Sequence, residues 1–156
     1  MAEGEFALVR KYLEIALNKM ASWVGEHDLY AMLADAAAQQ RDESALQHYA
    51  PLAEELAARY DHKLYQAIAH RAWGVAHWLT GQHTESETLL NKALELFQQL
   101  DTRWQIGRTL FELGELALSR SENTAAHEHF SRALDAFEEI GALPDAARAR
   151  QKLAAV

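Results

Sequence analysis

A forty-residue internal period constrains this chain more than any other feature of its sequence. Three segments align without a gap: "RDESALQHYAPLAEELAARY" (41–60), "GQHTESETLLNKALELFQQL" (81–100) and "SENTAAHEHFSRALDAFEEI" (121–140). Small residues recur at one equivalent position, occupied by Ala53, Ala93 and Ala133. A repeated unit of this length cannot bury its apolar side chains alone, so neighbouring units must stack to form a continuous core. The period therefore predicts an array of similar units.

Each unit is predicted to contain two antiparallel helices. In the third aligned segment the apolar residues fall on one stripe with a 3.6-residue period: Ala126, Phe130, Ala133, Leu134, Phe137 and Ile140. A composition rich in Ala, Leu, Glu and Gln also favours helix. The polar breaks between periodic segments are short, as expected for antiparallel neighbours. Ser44, Thr84 and Thr124 precede apolar runs and are predicted to be N-caps.

Pro51 conflicts locally with this pattern. A proline inside a helix removes one backbone hydrogen bond and bends the helix. Either the second helix of the first unit is kinked at Pro51, or it begins late, near Ala50. We expect the kink, because Ala45, Leu46 and Tyr49 keep the register of the other units.

The expected architecture is all-α: a solenoid of about eight antiparallel helices within one domain, residues 1–156. It contains half a unit, three full units and half a unit. Their expected bounds are an N-terminal helix at 5–22, units at about 24–60, 61–100 and 101–140, and a C-terminal capping helix at 144–156. The polar face of the last helix would end the stack in water.

The pattern resembles the tetratricopeptide repeat, which carries small residues, an aromatic and an alanine at fixed positions. The residues that match are Gly74, Gly81, Ser86, Leu90 and Ala93 in the second unit, Gly114, Ala126, Phe130 and Ala133 in the third, and Ala34, Ala50 and Ala53 in the first. The period is forty residues instead of the usual thirty-four, and Gln98 and Glu138 replace the closing proline. Residues 112–141 are also similar to helical arrays of bacterial signalling ATPases and transcriptional regulators.

This resemblance implies a right-handed superhelix that binds proteins or peptides on a concave face made by the first helix of each unit. It implies no catalytic activity, no catalytic residues and no cofactor. By register with the family motif, the candidate partner-binding residues are Arg71, Val75, Trp78, Arg108, Glu112, Glu115 and Arg148. Arg71, Arg108 and Arg148 could form a basic strip suited to a carboxylate or an acidic segment. The alternative is that solvent or Glu112 and Glu115 neutralise these arginines.

Two other functions remain open. The N-terminal helix adds Leu8, Tyr12 and Ile15 to its apolar stripe, which is expected of a helix that covers a second copy or another module. A homodimer through residues 5–24 is the resulting alternative. A small-molecule sensor near His70, His77 and Trp78 is the other.

Composition excludes several classes of function. The formal net charge of −8 argues against nucleic-acid binding, which needs a basic surface. The chain has no cysteine, no transmembrane-length apolar run and no signal peptide, so a cytoplasmic protein is expected. Trp23, at the end of the first helix, is expected to pack in the core. His127 and His129 point away from each other on a helix, so they are expected to be one surface and one half-buried residue and not metal ligands.

Overall fold

The computed structural model describes residues 3–19 and 26–156, with side chains from Leu8 to Leu17 and from Glu26 onwards. These residues are almost entirely α-helical. The helices, in chain order, are α1 (Glu3–Lys19), α2 (Glu26–Gln40), α3 (Glu43–Arg59), α4 (Lys63–Leu79), α5 (His83–Gln99), α6 (Arg103–Ser119), α7 (Asn123–Glu139) and α8 (Leu143–Leu153). The all-α fold class and the eight helices expected from the sequence are confirmed for the described residues. Trp23 and the ends of the first predicted helix and unit fall outside them.

The helices follow a strict twenty-residue spacing from α3 onwards. Each of α3 to α7 has 17 residues, and each of α4 to α8 begins twenty residues after the start of the helix before it. In each connection from α2 to α8, one residue adopts a left-handed backbone conformation: Arg41, Asp61, Gly81, Asp101, Ser121 and Gly141. The amide of this residue and the amide of the residue after it both donate hydrogen bonds to carbonyl groups near the end of the preceding helix. Between α6 and α7 these bonds run from Ser121 N–H to Leu118 C=O and from Glu122 N–H to Ala117 C=O. This Schellman geometry makes each connection very short and forces an antiparallel return.

The predicted N-caps were wrong by two residues. Ser44 and Thr124 lie in the first turns of α3 and α7, and Thr84 is already inside α5. The N-cap is the residue that directly follows the left-handed residue, because the next helix begins immediately after the Schellman turn. The Asp42 side chain caps α3: its Oδ1 accepts a hydrogen bond from the Ala45 amide nitrogen, at 3.0 Å. The N-cap residues of α4, α6, α7 and α8 make no such side-chain bond.

Pro51 lies inside α3, which begins at Glu43 and continues to Arg59. The late start near Ala50, the second interpretation of the sequence, is therefore wrong. The Pro51 side chain is exposed, while its neighbours Ala50 and Ala53 are buried. The helix thus keeps its apolar stripe in register across the proline.

The chain divides into two compact units, Met1–Leu89 and Leu90–Val156, with the boundary inside α5. The core of the first unit joins α2, α3 and α4 through side chains such as Leu33, Leu46 and Val75. Leu13 and Leu17 of α1 pack against it. Within this unit contacts join helices that are adjacent or next-but-one in the chain, which is characteristic of repeat proteins.

The second unit is centred on the packing of α6 against α7. Phe130 and Phe137 of α7 are buried against Gly114 and Gly107 of α6. The ring of Phe130 also meets that of Phe111 edge to face, with centroids 5.3 Å apart. The small residue that matches the family motif at position 114 therefore allows the neighbouring helix to approach closely.

Candidate functional site

The candidate binding surface is the A-helix face, our name for the surface of the helices that come first in each repeat. In the first unit it comprises residues of α2 and α4: Asp28, Met32, Asp35, Tyr65, Arg71, Val75 and Trp78. In the second unit it comprises residues of α6 and α8: Trp104, Arg108, Phe111, Glu112, Glu115, Asp145, Arg148 and Lys152.

Arg71 lies at the centre of the first part and is fully buried, with 0% of its surface exposed. Its guanidinium Nη2 is 2.6 Å from Oδ1 of Asp35 on α2. A buried arginine must be paired, since an isolated buried charge is very costly. Val75, one turn further along α4, is also buried. These two residues therefore stabilise the wall between α2 and α4 and do not present their side chains to solvent.

Trp78 is the most accessible of the candidates on α4. It is half-buried, and the guanidinium of Arg41 lies 4.6 Å from the centre of its ring. This cation–π contact covers one face of the indole. Met32 of α2, by contrast, is an exposed apolar side chain on the same wall.

The other end of the first part is aromatic. The Tyr65 hydroxyl donates a hydrogen bond to Asp28. Burial and this bond to a carboxylate raise the pKa of Tyr65 to about 12. The rings of His62 and Tyr65 are stacked, with their centroids 3.9 Å apart, and the centroid of the His27 ring lies 5.4 Å from that of Tyr65. These rings pack against one another, so they fill this end of the wall.

Arg108 and Glu112 are buried within the second part, on α6. The Arg108 guanidinium lies 4.7 Å from the centre of the Trp104 ring one turn earlier. Trp104 in turn donates a hydrogen bond from Nε1 to Asp145 of α8, at 3.1 Å. Trp104 thus links the two A helices of this unit, α6 and α8.

Arg148 and Lys152, one turn apart on α8, are the accessible cations of the second part. Arg148 lies 4.9 Å above the ring of Phe111 and 3.7 Å from an oxygen of Asp145, yet 53% of its side chain is exposed. Lys152 forms a 2.6 Å ion pair with Glu115 of α6, and 39% of its side chain is exposed. The acids are more buried than the bases, so the outer edge of this surface is basic.

The sequence did not single out Lys152 as a candidate. Its position could have been inferred from the sequence, because Lys152 follows Arg148 by four residues and therefore lies on the same side of α8. The repeat register gives a second signal. Asp35 and Glu115 occupy equivalent positions, eighty residues apart, and each pairs with a base on the next A helix. The strip of three arginines is therefore divided: Arg71 and Arg108 are internal, and Arg148 is accessible.

The histidines of α7 lie as the register predicts, with His127 exposed and His129 half-buried. Across residues 3–19 and 26–156, no cluster of three or more His, Asp or Glu side chains is arranged to hold a metal ion. Within the same residues, no helix has the length and apolar character needed to cross a membrane.

Antiparallel helix pairs at a constant spacing define an α-helical repeat protein. Residues 65–139 match the family model of the tetratricopeptide repeat, a stretch that runs from the first turn of α4 to the end of α7. This chain is a tetratricopeptide-like repeat protein, as the spacing of its small and aromatic residues indicated. The family suggests a scaffold for protein–protein interaction. No curated protein shows significant similarity to the sequence.

Proposed function

We propose that the chain is a non-catalytic protein- or peptide-interaction module that binds its partner through the A-helix face. The observation that carries the proposal is the tetratricopeptide match over residues 65–139, because this family suggests interaction with proteins. The half-buried Trp78 and the exposed Met32 support it. Side chains of this kind act as anchors in protein interfaces. The proposal includes a cytoplasmic location and a place in a bacterial regulator.

The preferred partner in the second unit is an acidic segment or a peptide carboxylate. Arg148 and Lys152 are held in place by Phe111, Asp145 and Glu115, so little side-chain entropy is lost on binding. A guanidinium can bind a carboxylate with two parallel hydrogen bonds. The rest of the protein is acidic, with a net charge of −8, so an acidic partner is repelled elsewhere and attracted only locally.

A displayed library of random peptides, selected on the intact chain, tests this proposal. We expect enrichment of sequences with Asp, Glu or a free C-terminal carboxylate. The double variant Arg148→Glu/Lys152→Glu should bind the selected peptides at least about tenfold more weakly, or ~1.4 kcal/mol. The control is Arg132→Glu, which reverses an exposed charge on α7 away from the A-helix face and should leave affinity unchanged.

Two outcomes would contradict the proposal: a library with no enrichment, or equal weakening by the control variant. Arg71→Glu and Arg108→Glu are unsuitable as tests. Both side chains are buried, so their replacement would unfold the protein whether or not it binds a peptide.

A small-molecule sensor is the other function open from the sequence. His77 contacts Gln82 and lies 5.9 Å from Trp73, within the first unit. A thermal-shift screen of metabolites distinguishes the two proposals, because a sensor is stabilised by its ligand and a peptide scaffold is not. Self-association through α1, the remaining alternative, would use a different surface, on that helix.

A further inference from the structure

Helix α8 docks on the second unit with few buried apolar side chains. Within α8, all of which the structure describes, the two buried residues are Ala146 and Ala149. Leu153 is half-buried, and Leu143 is 71% exposed. The two phenylalanines of α7, by contrast, are almost completely buried. Since hydrophobic stabilisation scales with the apolar area removed from water, the apolar contacts of α8 contribute little to its docking.

Charged side chains supply the other contacts of α8 with its neighbours. Lys152 forms its 2.6 Å ion pair with Glu115 of α6, and Arg150 pairs with Glu138 of α7. Asp145 accepts a hydrogen bond from the indole at the start of α6. Arg150 and Glu138 keep 55% and 46% of their side chains exposed. Exposed ion pairs are weak and are screened by salt, so part of this attachment depends on ionic strength.

The length of α8 also limits its independence. It has 11 residues, whereas α6 and α7 have 17 each. An isolated helix of this length is marginal in water, so α8 needs its contacts with α6 and α7 to remain helical. Elements held by few apolar contacts open at a lower free energy than the core of a protein does.

We propose that α8 is a reversibly docked helix, which leaves α6 and α7 while the rest of the second unit stays folded, and does so more often at higher ionic strength. The rest of the unit can stay folded because α6 and α7 pack on each other directly. Gly107 and Gly114 of α6 meet the rings of Phe137 and Phe130 of α7, and α8 takes no part in these two contacts.

The docked state assembles the accessible bases of the A-helix face. Arg148 lies above the ring of Phe111, and Lys152 lies beside Glu115, only while α8 is on α6. A peptide that uses both bases in this arrangement binds the docked state and shifts the equilibrium towards it. This consequence rests on the proposed binding of acidic segments, whereas the opening of α8 does not. Ionic strength would then control the site through docking as well as through direct screening.

Thiol labelling of the intact chain without peptide measures the opening, since the protein has no cysteine of its own. Ala149→Cys places a thiol on the buried side of α8, and the control Ala133→Cys places one on the buried side of α7. Position 149 should be labelled at least about tenfold faster, because position 133 becomes accessible only in wider unfolding. Raising NaCl from about 0.02 M to about 0.5 M should speed labelling at position 149 at least about threefold, relative to a free thiol. Ala146→Cys is a second reporter and should behave in the same way.

Removal of one ion pair tests the cause of the opening. In the Ala149→Cys protein, Glu138→Gln should speed labelling at low salt at least about threefold and reduce its response to NaCl, because Arg150 loses its partner. The matched control is Glu128→Gln, the same charge change on the same helix. Glu128 pairs with Arg132 inside α7, at 3.7 Å, so its replacement should leave the labelling rate unchanged.

Three results would overturn the inference. Equal labelling rates at positions 149 and 133 would exclude a local opening of α8. A rate at position 149 that does not change with salt, or equal effects of the two glutamine variants, would exclude its ionic origin. An acidic peptide selected on the intact chain should slow labelling at position 149, and unchanged labelling at saturating peptide would exclude the link to the peptide site. Failure to select any peptide would instead contradict the proposed function and leave the labelling results as they stand.

Discussion

Gly107 and Gly114 are placed where α6 and α7 come closest. A methyl group at Gly114 would lie 2.6 Å from Cε1 of Phe130, and one at Gly107 would lie 2.7 Å from Cε1 of Phe137. Both distances are too short for carbon atoms, so each phenylalanine ring occupies space that only glycine leaves free. The paired appearance of a glycine and an aromatic residue in the sequence therefore reflects one physical contact.

Gly114→Ala should destabilise the protein by about 1–3 kcal/mol, because overpacking forces the Phe130 ring to move. Helix propensity alone favours alanine by about 1 kcal/mol, so the sign of the change identifies the cause. Urea unfolding measures it. Adding Phe130→Leu to Gly114→Ala should recover part of the loss, whereas strictly additive losses would contradict the contact.

Ser121 adopts a left-handed backbone conformation, with φ of 61°. A residue with a Cβ atom loses roughly 1–2 kcal/mol there. Ser121→Gly should therefore raise the free energy of unfolding by about 1 kcal/mol. Gly81 is the equivalent residue of the preceding repeat and has open space around its Cα, so Gly81→Ser should lower stability by a similar amount. The same sign for both variants in thermal unfolding would refute this reasoning.

The docking of α1 depends on a capping residue in a different helix. Asp42 accepts hydrogen bonds from the Ala45 amide of α3 and from the Arg10 side chain of α1. These two bonds, the amide bond first, hold the pKa of Asp42 below its usual range. One carboxylate thus caps α3 and attaches α1, so the two elements are coupled.

Acid should weaken this coupling. Because the pKa of Asp42 is lowered by folding, its contribution to stability is complete above the usual aspartate pKa of about 4 and is lost as the pH falls through the folded-state value. Asn can still cap the helix but cannot titrate. In urea unfolding at pH 7 and pH 3, wild type should therefore lose more stability than Asp42→Asn does. Equal losses in the two proteins would contradict this role of the carboxylate.

The molecule as a whole follows from repetition of one connection. Within each unit, contacts are made between helices close in sequence, and the same Schellman turn recurs at each junction between α2 and α8. Repetition of this kind sets the positions of the helices but leaves individual surfaces free to differ. The basic edge of α8 is one such difference, and it is proposed as a binding surface.

The positions of the helices, and the small and aromatic residues that pack between them, were readable from the sequence because they are periodic. Periodicity is a local property, and it survives weak identity between repeats. The capping residues were misplaced, because the left-handed residue of the Schellman connection has no fixed residue type: Arg41, Asp61, Asp101 and Ser121 hold this position in four connections, and glycines hold it in two.

The state of the polar residues on the A-helix face was decided only by the tertiary structure. Arg71 and Arg148 have equal charge in the sequence, yet the first is buried against Asp35 and the second is accessible above Phe111. Asp35 and Phe111 each lie about one repeat before the arginine that they contact, and local spacing does not predict whether such a contact buries the charge. A charged side chain becomes structural or available for binding according to the residues of the neighbouring helix, because those residues set both its burial and its neutralisation.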